Sequence, residues 1–171
     1  MAEKKSDQDR LAQALKHHDK AVEGNKKAVN EAYIRFNKLR MTHYSNPLIE
    51  AYYGSTLTLM GRDMPDTLEK MYRTKQGLAA LDRAVAWDPH SSMIRIMRGK
   101  VCTQLPEDVF HRTQLAIDDF MTVLNALQIT PGLITQQQHI LILQDLIVAY
   151  RKLGNEIAAN EAKIQLDLLR K

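Results

Sequence analysis

Asp88-Pro89 ends a run of strong helix formers, and Thr130-Pro131-Gly132 ends another, the two prolines lying 42 residues apart. Proline lacks an amide hydrogen and disfavours helix in the residue before it, so each is a hard stop. Between the stops, apolar residues return at steps of three and four. Long alternating runs of Val, Ile, Thr and aromatics are missing. A chain built this way folds as a succession of separate helices joined by short turns, and the expected class is all-α.

The punctuation divides the body of the chain. Ser45 or Asn46 caps a helix that has Pro47 in its first turn and ends at Gly61. The next, about 66–87, carries Leu68, Met71, Tyr72, Leu78, Leu81 and Val85 as its inward stripe. Ser91 or Ser92 caps a helix over about 92–104, and Pro106 precedes another over about 108–128. Two more follow, about 135–153 and 156–169, the last with Ile157, Ala158, Ala162, Ile164 and Leu168 as its apolar positions. Gly54 stands in mid-helix, where it costs about 0.5–1 kcal/mol relative to Ala. That cost marks a close approach by another helix.

Residues 1–45 form an N-terminal arm with its own rhythm. Leu11, Leu15, His18, Val22, Asn25, Val29, Ala32, Phe36 and Leu39 follow steps of four and three, the signature of one packing stripe on a long helix. The stripe serves one of two ends. Either the helix, broken near Gly24-Asn25, packs on the helices that follow, or residues 11–39 drive homo-oligomerisation. The arm holds ten Lys/Arg against six Asp/Glu, whereas residues 46–171 hold fourteen of each. That excess favours acidic partners without amounting to a nucleic-acid surface.

The stretches "AYYGSTLTLMGRD" and "ALDRAVAWDP" resemble the tetratricopeptide repeat family, a helix-turn-helix unit with a mid-helix Gly, a recurring Ala and a closing Asp-Pro. Gly54, Gly77, Ala84 and Asp88-Pro89 match those roles. So do "MRGKV" with Gly99, Ala126 and Pro131, and "VAYRKLGNEIAANEA" with Tyr150, Gly154 and Ala159. Ile147 departs from the pattern, standing where that family usually has Gly. The resemblance implies antiparallel helix hairpins stacked as a right-handed superhelix over residues 46–171, in units of about 47–89, 90–131 and 135–169. The long N-terminal helix would then cap the stack.

It further implies a concave groove lined by the first helix of each unit. The groove positions are Leu48, Ala51, Ser55 and Thr58 in the first unit and Met93, Ile96, Lys100 and Thr103 in the second. Gln144, Val148, Arg151 and Lys152 complete it. Such a groove, apolar at one end and basic at the other, suits a peptide or helix with an acidic segment. Ala51 and Ser55 stand where that family's Lys/Asn carboxylate clamp would begin, so no such clamp is expected.

Nothing in the sequence announces a reaction. No two histidines have the four-residue spacing of a zinc-binding helix, and no glycine-rich phosphate loop occurs. His111 and His139 read as solvated helix positions, Asp118-Asp119 as an edge with one Arg partner, and Cys102 as a buried inert thiol. No metal, cofactor or catalytic residue is expected. Basic residues are not interleaved with exposed aromatics as single-strand nucleic-acid binding requires. No apolar run reaches the roughly 18 residues of a membrane span, and the start has no signal-peptide core. The expectation is a cytoplasmic, non-catalytic scaffold or adaptor resembling a co-chaperone, with a self-assembling structural protein as the alternative.

Overall fold

The computed structural model describes residues 2–170, with side chains from Asp7 onward. Among them every regular element is a helix, and the chain divides into two compact units, residues 1–90 and 91–171.

In the first unit, α1 spans Ala2–Val22, α2 Lys26–Thr42, α3 Pro47–Asp63 and α4 Thr67–Trp87. In the second, α5 spans Ser92–Gln104, the single turn α6 Glu107–Phe110, α7 Thr113–Ile129, α8 Gln136–Lys152 and α9 Glu156–Leu169. The two units share one plan of neighbours. In the first, α1 pairs with α2 and α3 with α4, while α3 also touches α2 and α1. In the second, α5 pairs with α7 and α8 with α9, while α8 also touches α7 and α5. Each unit is therefore two helical hairpins laid side by side.

Local chemistry sets the ends of these helices. Asn46 accepts from the amides of Leu48 and Ile49, with Pro47 opening α3. Asp66 and Ser91 cap α4 and α5 in the same way. Thr135 and Gln138 form a reciprocal capping box at α8. Between α6 and α7 the chain turns through His111 at φ +51°. There the Glu107 carboxylate takes the amide of Thr113 at 2.9 Å, doing for α7 what a capping residue does elsewhere.

The N-terminal arm is not a separate body. Gly24 adopts φ +99°, and Asn25 caps α2 by accepting from the Ala28 amide, so the long helix is folded back into a hairpin. Most of the 11–39 stripe packs inside the chain, with Val22 and Asn25 left exposed. Ala14, Ala32, Phe36 and Leu39 pack with Ile49 of α3, and Leu11, Leu15, Tyr52 and Tyr53 close around them. A second cluster joins Ala21, Ala28 and Val29 to Leu57 and Met60.

Helices α3 and α4 cross almost backbone to backbone. A Cβ on Gly54 would lie 2.7 Å from the Gly77 carbonyl oxygen, and one on Gly77 would lie 2.5 Å from that of Gly54. Gly61 does not end α3; it lets Thr74 of α4 come within 2.5 Å of where its Cβ would be. This crossing also corrects the inward stripe of α4. The packed face runs through Thr74, Gly77, Leu78, Leu81 and Ala84, leaving Leu68 and Tyr72 exposed. In α9 the same thing happens: Ala159, Ala162 and Leu166 are buried, whereas Ile157, Ile164 and Leu168 face outward. Small side chains permit the closest approach, and they decide which face is packed.

Replacing Gly54 by Leu should therefore force the α3–α4 crossing apart. Overpacking of this kind costs ~1–3 kcal/mol, and the backbone oxygen in the way places this site at the upper end. Chemical denaturation should show a lowered midpoint, and an unchanged one would mean that the crossing is not as close as described.

Candidate partner-binding face

The twelve expected groove positions separate into two groups. In the first unit Ala51, Ser55 and Thr58 are buried, and only Leu48 keeps partial exposure. The hydroxyl of Ser55 lies 2.9 Å from His18 Nε2 of α1, and the Cγ2 of Thr58 fills the space left by Gly77. These side chains hold helices together, so they do not line a groove open to a partner. For Ser55 the physical reason is the folded-back arm, which sets α1 beside α3, and for Thr58 it is the close crossing of α3 and α4.

In the second unit the expected positions are also split. Ile96 and Thr103 are buried, but Met93 and Val148 are 46% and 51% exposed, and Gln144 and Arg151 are exposed beside them. Lys152 has a structural task. Its ammonium donates to the carbonyls of Thr103 and Leu105, at 2.5 and 2.9 Å. A cation there answers the negative end of α5 and ties α8 to it. Lys100 of α5 and Asp145 of α8 are electrostatic neighbours. Burial raises the Asp145 carboxyl above its usual value, and Lys100 opposes that shift. What remains accessible on α5 and α8 is a face of mixed chemistry: Met93, Lys100, Gln144, Val148 and Arg151.

Other residues singled out from the sequence find plain roles. Asp118 is exposed and accepts from the Gln114 side chain, whereas Asp119 is fully buried between Arg95 and Arg98. His111 is exposed, and half-buried His139 is held below its ordinary value by desolvation. Cys102 is buried. Among the described residues no three His, Cys, Asp or Glu side chains are placed to hold a metal ion. Nor is any helix there long and apolar enough to cross a membrane. Comparison with known protein families, curated proteins and solved structures finds no match.

Periodicity did not reveal the first unit's Glu50, buried in α3 and held by Arg40 of α2 and Arg83 of α4. Its partners lie 10 and 33 residues away, a separation to which no local pattern is sensitive.

His18 gives the first unit a pH dependence. Its ring sits edge-on to Tyr52 and Phe36, and burial lowers its pKa from 6.5 to about 4, against a smaller raising effect of Asp19. The fold thus favours the neutral ring, and the unfolded chain takes up a proton first as pH falls. The contribution is intact above pH 6.5 and is lost progressively between 6.5 and about 4. It amounts to about 3 kcal/mol at most. A His18→Gln chain should lose correspondingly less stability over that interval, and denaturation curves of equal pH dependence in both chains would refute the assignment.

Proposed function

We propose that this chain is a non-catalytic scaffold or adaptor that binds another protein through the α5/α8 face of its second unit. The observation that carries the reading is the pairing of accessible apolar side chains, Met93 and Val148, with Lys100 and Arg151 on adjoining helices. A peptide or short helix presenting apolar anchors beside an acidic segment matches that chemistry. The hairpin plan and the Gly and Asp-Pro punctuation support a tetratricopeptide-like assignment. In such arrays the first helix of each hairpin lines the binding surface. A cytoplasmic, co-chaperone-like role is the biological form of this proposal.

The test is affinity capture with the full chain against a Met93→Glu/Val148→Glu chain of unchanged melting temperature. Both side chains are largely exposed, so the variant should fold. A protein retained by the first and lost by the second is the expected result. A synthetic peptide from its acidic segment should then bind the purified chain more weakly as salt is raised. Identical captures from both chains would reject this face as the working surface.

A further inference from the structure

Two helices carry apolar side chains on the face opposite the one they pack with. On α9, Ile157, Ile164 and Leu168 are 76%, 61% and 64% exposed, and their seven- and four-residue spacing puts them in one line. A helix packed on one side only ordinarily presents a polar outer face, which α9 does not. On α2 the packed side is Ala28, Val29, Ala32, Phe36 and Leu39, while Ile34 and Met41, seven residues apart, are 48% and 64% exposed.

Charge distinguishes the two faces. Lys38 stands between Ile34 and Met41 and slightly to one side of them, and Glu161 stands in the corresponding place between Ile157 and Ile164. Both are exposed, and among the described residues neither has an ion-pair partner. Glu31 and Glu156, by contrast, are paired with Arg35 and Arg151.

We propose that α2 of one copy of this chain docks antiparallel on α9 of another. In that register Ile34 meets Ile164, Met41 meets Ile157, and Lys38 falls beside Glu161. Antiparallel helices bring like sides together, so the offset of the lysine and that of the glutamate coincide. The contact is heterologous, since each copy offers one α2 face and one α9 face. Association closes at two copies where both make the contact reciprocally, and otherwise continues into rings or chains. The apolar residues supply the affinity, and the Lys38–Glu161 pair supplies the choice of partner face and its register.

The experiment is light scattering of the full chain at low salt, over a concentration series, with melting temperatures as a check that each variant is folded. The wild-type mass should rise above that of the monomer as concentration increases. Lys38→Glu alone and Glu161→Lys alone should each weaken assembly about tenfold, because like charges then face each other. An equimolar mixture of the two variants should assemble again, because the α2 face of each variant then finds an α9 face of opposite charge on the other. A chain that remains a monomer throughout overturns the proposal. So do single variants that assemble like wild type, or a mixture no better than its components.

Discussion

The Glu50 carboxylate is the joint of the first unit. It is 1% exposed, and moving such a charge out of water costs several kcal/mol unless it is paired and hydrogen-bonded. Both conditions are met from two directions. Arg83 reaches it from α4 at 2.6 and 3.0 Å, and Arg40 reaches it from α2 through two nitrogens. The Arg40 and Arg83 side chains are 37% and 45% exposed, so the arginines keep part of their hydration while the glutamate surrenders its own. One side chain of α3 thus fixes the helix before it and the helix after it, and so sets one hairpin against the other.

The second unit solves the same problem within a single hairpin. Asp119 of α7, fully buried, is held by Arg98 at 2.7 and 2.9 Å and by Arg95 at 2.7 Å, both from α5. Its two hairpins are joined by other means, among them the Lys152 ammonium laid on the end of α5. The consequence for function is a difference in what stays accessible. In the first unit, ion pairs, the Gly54–Gly77 crossing and the His18–Ser55 contact use up most of α3. In the second, Met93 and Val148 are left largely outside the core.

What the sequence revealed was mostly local. Pro47, Asn46, Ser91 and Gly154 act within a few residues of themselves, and the helices start and stop where they indicate. Gly54 likewise signalled a crossing through its cost in mid-helix. Which face of a helix is packed proved harder to read. Leu68 and Ile157 have the right spacing for a core and lie in solvent, because periodicity marks a stripe without saying whether a neighbour covers it. Small residues on the other side, Gly77 and Ala162 among them, decided the question. The burial of Ala51, Ser55 and Thr58 in the first unit was hidden for a related reason. His18 and Asn25 looked like polar members of one stripe, yet one is a core side chain bonded to Ser55 and the other caps a new helix.

The claim that Glu50 joins the two hairpins is open to a direct measurement, amide hydrogen exchange on the full chain carrying Glu50→Gln. The substitution keeps the shape and removes the charge that both arginines seek, at a cost of about 3 kcal/mol. Protection should fall together in α2, α3 and α4, while α8 and α9 keep theirs. A loss confined to α3, or no loss at all, would show that the hairpins are held by apolar packing alone and that Glu50 is not their joint.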